Sequence, residues 1–227
     1  MNKDGILYTV VFSLIFTFVL ILPLTVVNVL TKDLVEQNVR VGGALSVLQS
    51  LGVPADKAQP EAVLASYDAL KKFKKVDGKL VPVSNEEVEA ARKAKSPIQP
   101  LYFQGSDASG VTWGGAFTGP GLWGNVTLAL GFDATIGRIV GYSPVAQVET
   151  PGLGARIADQ WFIDQFTGQK IPASGTFRFV AGSGAGDPNK ENDTLDGVTG
   201  ATITTVAVKN ILNAAVAEMK SLTGGVQ

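Results

Sequence analysis

The chain has 227 residues, 45% of them apolar, and a formal net charge of −1. This composition supports a sizeable core and excludes wholesale disorder, and the lack of a basic excess argues against a nucleic-acid partner. Cysteine and histidine are both absent, which removes iron–sulfur clusters, structural zinc, His-ligated haem and His-based nucleophile pairs and leaves any redox chemistry to an organic cofactor.

Residues Ile6 to Leu30 form an uncharged apolar run. As a helix it is roughly 37 Å long, enough to span a hydrocarbon core with some tilt. No small-x-small cleavage site follows it, so an uncleaved anchor is expected over residues 1–32. Pro23 would kink the helix, which membrane helices tolerate. Lys3 precedes the run, while Lys32 and Arg40 follow it among Asp33 and Glu36, so charge counting does not decide the orientation.

Residues 33–52 and 60–75 read as two helices joined by Gly52-Val53-Pro54, the second ending in a solvated run, Lys71-Lys72-Phe73-Lys74-Lys75. Residues 85–95 read as a short polar helix stopped before Pro97. Residues 33–100 are thus expected to be a helical spacer or collar below a domain over 101–227.

From Leu101 onward charges thin out and short β-rich runs appear. Asn125–Phe132 alternates as a strand does, with further strands at Gly137–Tyr142 and Thr176–Ala181. Ala158–Phe166 reads as a helix carrying Trp161. Thr204–Leu222 reads as a helix with Val208, Ile211, Leu212, Ala215 and Met219 on one face. Strands with segregated helices give an α+β domain on a single N-terminal transmembrane helix. Leu101–Ser106 resembles a protease-tag scar, but it sits inside a continuous domain and reads as native sequence.

Asp196-Gly197-Val198-Thr199-Gly200-Ala201-Thr202-Ile203-Thr204-Thr205 lies directly before the last helix. Gly200 and Ala201 allow close approach to the backbone, and hydroxyls follow at Thr202, Thr204 and Thr205. A helix start offers free N–H groups and the positive end of the dipole, which suits a phosphate. The residues alone equally allow an ordinary helix start with Thr204 or Thr205 as N-cap. Glu149-Thr150-Pro151-Gly152-Leu153-Gly154 is a Pro-Gly turn with a carboxylate and a hydroxyl at its start, and Gly119-Pro120-Gly121-Leu122-Trp123-Gly124 reads as a hairpin turn with a packed Trp. Asp187, Asn189, Glu191 and Asp193 alternate like calcium ligands, but Asn192 stands where an EF-hand needs Gly, so a solvated loop and no metal site are expected. Gly182–Gly186 lacks the Gly-Lys-[Ser/Thr] ending of a P-loop.

Asp-x-x-[Ser/Thr]-Gly-Ala-Thr and Glu-Thr-Pro-Gly-Leu-Gly, in this order along the chain, resemble the RnfG/NqrC family and its FMN-binding relatives. The resemblance implies FMN joined through its phosphate to the Thr202 hydroxyl by a magnesium-dependent flavin transferase that uses FAD. It also implies cofactor contacts from Asp196, Thr199, Gly200, Ala201, Thr204 and Thr205. Glu149, Thr150, Leu153 and Gly154 become candidate contacts in the second motif, and Trp123 in a segment similar to the NqrC branch. Gln147 stands where the family often has His. The implied role is an electron relay within an ion-translocating Rnf- or Nqr-type complex, with other membrane subunits as partners and no complete catalytic site on this chain. The implied topology is a single pass in the cell membrane, N-terminus in the cytoplasm and flavin domain outside. A stand-alone extracytoplasmic flavoprotein and a non-redox anchored scaffold are the alternatives.

Overall fold

A computed structural model of the chain describes residues 5–94, 96, 98, 100–182 and 184–223. The chain divides into two compact units, residues 1–40 and 41–227. The first is carried by helix α1 (Ile6–Ser50), which has Pro23 inside it and continues into the second unit. No described residue before Val41 is buried, and this helix is long and apolar enough to cross a membrane. Thr25 Oγ1 donates to the Ile21 carbonyl at 3.0 Å and Thr31 Oγ1 to the Val27 carbonyl at 2.8 Å. Both hydroxyls are thus satisfied by the helix itself, which removes their desolvation penalty in an apolar medium.

The second unit is built on a six-stranded sheet of β1 (Lys71–Val76), β2 (Lys79–Val83), β3 (Leu101–Asp107), β4 (Gly110–Pro120), β5 (Asn125–Asp133) and β6 (Ile139–Ala146). Its order is β2-β1-β3-β4-β5-β6, with every neighbouring pair antiparallel. The period of two divides the side chains between two faces. On one face, Phe103 and Ala129 pack with Val47 near the end of α1 and Leu51 just after it, beside helix α2 (Pro60–Ala69). On the other, Tyr102, Val126, Leu128, Leu130 and Phe132 pack against helix α5 (Thr202–Thr223) through Val208, Ile211, Leu212, Ala215 and Met219. Gly131 and Gly141 make the first contact close: a Cβ at Gly131 would lie 1.8 Å from the Ser50 carbonyl oxygen, and one at Gly141 2.8 Å from that of Gln49.

Between β6 and α5 the chain forms a 3-10 helix (Gly154–Ala158) and helix α4 (Gln160–Asp164). A two-stranded parallel sheet follows, β7 (Arg178–Ala181) with β8 (Thr194–Gly197). β8 delivers the chain directly to the start of α5.

The α+β class stands, while several elements differ from their expected form. Residues 33–50 belong to α1 rather than to a separate helix. The helix expected over 60–75 stops at Ala69, and the lysine-rich segment is strand β1. Asp77 (φ 51°) and Gly78 (φ 74°) form the tight turn of the β1–β2 hairpin, a twist-compatible Asp-Gly signal that outweighs the helical propensity of lysine. Residues 33–100 therefore contribute two strands to the sheet and are not a purely helical collar. Helix α3 (Asn85–Lys93) forms as expected, with Ser84 Oγ accepting from the Glu87 amide at 3.2 Å. Its expected end at residue 95 and Pro97 lie outside the described residues. The tag-like segment is part of β3, and both Tyr102 and Phe103 are buried.

Candidate functional site

The site forms where β8, the loop after β6 and the turn between β4 and β5 converge on the start of α5. α5 begins at Thr202, two residues earlier than expected, so neither Thr204 nor Thr205 is the N-cap. Gly200 has φ +80°, the left-handed conformation that glycine adopts without steric cost. Ala201 is buried, while Thr199, Gly200 and Thr202 are exposed. Thr202 thus displays its hydroxyl on the first residue of a helix. The amides of Thr202, Ile203 and Thr204 find no acceptor among the described residues, as expected for the orphan donors of a helix start.

Thr204 and Thr205 point inward and serve as struts. Thr205 Oγ1 accepts from the Val198 amide at 3.1 Å, and its own amide donates to the Ala201 carbonyl at 2.9 Å. Together these two bonds fold the 198–201 segment back onto the helix. Thr204, 1% exposed, donates through Oγ1 to Glu149 Oε2 at 2.5 Å.

Glu149 ties the three motifs together. It is 4% exposed, and its Oε1 accepts from the Leu122 and Trp123 amides at 2.9 and 3.2 Å. A single buried carboxylate thereby joins the Gly121–Gly124 turn, its own loop and the first turn of α5. The fit depends on absent side chains: a Cβ at Gly121 would lie 2.5 Å from Glu149 Oε1, and one at Gly154 2.5 Å from Thr204 Oγ1. Gln147 Oε1 accepts from the Glu149 amide at 2.6 Å and steadies the loop. Thr150 Oγ1 accepts from Trp123 Nε1 at 3.0 Å, which fixes an indole that is 68% exposed.

Two surfaces adjoin Thr202. One is apolar and exposed: Leu122, Trp123, Leu153 and Ile203 all show large hydrophobic area, and Leu153 reaches 3.5 Å from where a Cβ of Gly200 would be. The other is a groove of about 280 Å³ between β7 and α5, lined by Phe179, Val180, Ala181, Thr202, Thr205, Val206 and Lys209. A larger cavity of about 590 Å³, lined by Val47, Phe103, Phe117 and Ile211 among others, contains no motif residue.

Asp196 lies on β8, half-buried. Two residues that sequence reasoning missed hold it. Buried Gln165 donates through Nε2 to the Asp196 carbonyl at 3.0 Å and accepts from the Asp196 amide at 2.8 Å, replacing a neighbouring strand. Gly182 leaves room for the carboxyl group, since a Cβ there would lie 2.0 Å from Asp196 Cγ. Nothing in the sequence around Gln165 signals this contact, which spans a separation of 31 residues. Among the described residues no cluster of metal-binding side chains occurs.

The residues present suit a flavin mononucleotide. The exposed hydroxyl, the unpaired helix-start amides and the Cβ-free Gly200 match a phosphate in chemistry and room, and the exposed apolar patch matches an aromatic ring system.

The family of FMN-binding domains matches residues 121–217, which spans the motifs at Glu149–Gly154 and Asp196–Thr205 and begins inside the Gly119–Gly124 segment. The chain is 30% identical over 154 residues to the G subunit of the proton-translocating ferredoxin:NAD(+) oxidoreductase complex of Clostridium ljungdahlii, covering 68% of each chain. It is 28% identical over 191 residues to the G subunit of an ion-translocating oxidoreductase complex of Methanosarcina acetivorans, covering 82% of this chain and 93% of that one. To the C subunit of the Na(+)-translocating NADH-quinone reductase of Chlamydia pneumoniae it is 37% identical over 102 residues, but it spans only 32% of that protein's length. The crystal structure of the corresponding Na(+)-translocating NADH-quinone reductase component from Parabacteroides distasonis superposes with a TM-score of 0.62 at 26% identity, over 85% of this chain and 96% of that one.

Proposed function

The chain belongs to the RnfG/NqrC family, and from that premise we propose that it relays electrons through FMN attached covalently to Thr202. In this reading it is a single-pass membrane-anchored subunit of an ion-translocating Rnf- or Nqr-type complex. Its N-terminus lies in the cytoplasm and its flavin domain outside. Its partners are the other membrane subunits and, transiently, a flavin transferase.

The observation that carries the proposal is the buried Glu149 carboxylate, which gathers three separated motifs around one exposed threonine. FMN, when bound, would supply the one- or two-electron chemistry of the site. The chain's own part is attachment and placement. The Thr202 hydroxyl is the attachment point, and on the first turn of α5 the helix-start amides and the positive end of the dipole would favour a phosphate there. Gly200 keeps the approach to that hydroxyl open. Thr204 and Glu149 fix the first turn of α5 against the loop, so the apolar patch of Leu122, Trp123 and Leu153 keeps a constant relation to Thr202. Glu149 acts by positioning, since both its oxygens are taken up by protein donors.

The full chain, produced together with a flavin transferase, is expected to carry the mass of one FMN adduct. Thr202→Val, which keeps the β-branched shape without the hydroxyl, is expected to carry none while remaining folded. An adduct of FMN mass on the Thr202→Val chain would refute the assignment. Thr199→Val is expected to be milder, because Thr199 Oγ1 makes only a 3.5 Å contact with the Gly182 carbonyl.

A further inference from the structure

We propose that Lys209 is a phosphate-binding residue, which pairs with the anionic end of the flavin in the groove between β7 and the first two turns of α5. The inference rests on the reading that Thr202 is the attachment site.

Thr202, Val206 and Lys209 are spaced i, i+4, i+7 and lie along one face of α5. All three line the same groove. Thr205, which closes the 198–201 turn, borders it too. Lys209 is two turns further along, roughly 10 Å by helical rise. Helical side chains tilt toward the N-terminus, so a lysine at this position can reach back along the groove toward Thr202.

Lys209 is the one charged side chain lining this groove among the described residues. Among those residues it forms no ion pair or hydrogen bond, whereas the neighbouring surface cations are engaged: Arg178 with Asp193, Arg156 with Asp159 and Lys190 with the Asp164 carbonyl. Beyond the 197–200 turn and the two helix threonines, the remaining wall is apolar, formed by Phe179, Val180, Ala181 and Val206. Lys209 is half-buried as a residue, and no counter-charge lines the groove beside it among the described residues. A phosphate at Thr202 carries that counter-charge on the same helix face. The ammonium then adds a charge-assisted bond to the contacts available from the helix start. The apolar patch at Leu122, Trp123 and Leu153 contains no cation, so ring and phosphate are recognised by different surfaces.

The test uses the full chain in detergent, made without a flavin transferase, and compares free FMN with riboflavin, which has no phosphate. Fluorescence quenching on titration gives both dissociation constants. Wild type is expected to bind FMN more tightly than riboflavin. Lys209→Met is expected to weaken FMN binding by about tenfold with riboflavin unchanged, and Lys209→Arg to restore most of the difference. On the flavinylated chain, the 31P resonance of the phosphodiester is expected to move in Lys209→Met and to return toward its position in Lys209→Arg. Equal loss of both ligands, no preference for FMN in wild type, or an unmoved 31P resonance would each overturn the role of Lys209. A wrong attachment site shows itself separately, as an adduct that survives Thr202→Val by intact mass.

Discussion

At the scale of single residues, the site is organised by a group that does not present itself to a ligand. Glu149 lies in a motif whose family resemblance points to a cofactor contact, yet it is buried and accepts three hydrogen bonds from the protein. Glu149→Ala would leave the Leu122 and Trp123 amides and the Thr204 hydroxyl without their acceptor. The expected loss is about 2–4 kcal/mol of stability, because the buried Thr204 hydroxyl loses its acceptor outright and the two part-buried amides lose theirs as well. Glu149→Gln keeps one carbonyl oxygen for the two amides and offers its NH2 to the Thr204 hydroxyl, so about 1 kcal/mol is expected. Urea unfolding midpoints rank the two variants. Flavin incorporation by intact mass should fall in the same order, since the start of α5 loosens as the carboxylate goes. Equal incorporation in Glu149→Ala and wild type would show that the strut does not set the attachment site.

At the scale of elements, the decisive feature is how closely the end of α1 lies on the sheet. Gly131→Ala places a methyl group 1.8 Å from the Ser50 carbonyl oxygen and 2.5 Å from its carbon. Both are backbone atoms that cannot rotate away, so about 3 kcal/mol or more is expected to be lost. Gly42→Ala is the contrast: it lies in α1 itself, with nothing within 4 Å of an added Cβ. It should gain about 0.5–1 kcal/mol from reduced backbone freedom in the unfolded chain. Thermal unfolding of the two variants should shift in opposite directions. This contact also marks the limit of what the sequence discloses. The period of α5 was readable because Val208, Ile211, Leu212, Ala215 and Met219 recur on one face. The alternation of β5 was readable for the same kind of reason. The lysine-rich strand β1 was not, because its charges satisfy a helix pattern equally well. Its pairing with β2 and β3 is a tertiary fact, signalled locally only by Asp77-Gly78. The two motifs around Thr202 and Glu149 could be recognised as strings. Their union through one carboxylate, and the supports from Gln165 and Gly182, depend on contacts between distant segments that no local pattern encodes.

At the scale of the whole molecule, the question is where the apolar run ends and the folded domain begins. By composition the uncharged run ends before Lys32, where charges resume. By compactness the second unit begins at Val41. The two boundaries answer different physical questions. The uncharged run sets what an apolar medium accepts, while Val41, Ala44, Val47, Leu48 and Leu51 are buried and belong to the core of the second unit. A chain starting at residue 33 removes the apolar run and keeps every one of these side chains. It is expected to be soluble without detergent and to accept FMN from a flavin transferase. A chain starting at Pro54 also lacks the run but loses the side chains that cover Phe103 and Ala129, and it uncovers the surface at Gly131 and Gly141. Burial of apolar area contributes about 25 cal/mol per Å², so five core residues lost together exceed the margin of an ordinary domain. That chain is expected to aggregate or to remain unflavinylated, as read by gel filtration and intact mass. If it proved monomeric and fully flavinylated, the last turns of α1 would be dispensable, and the domain boundary would move past Leu51.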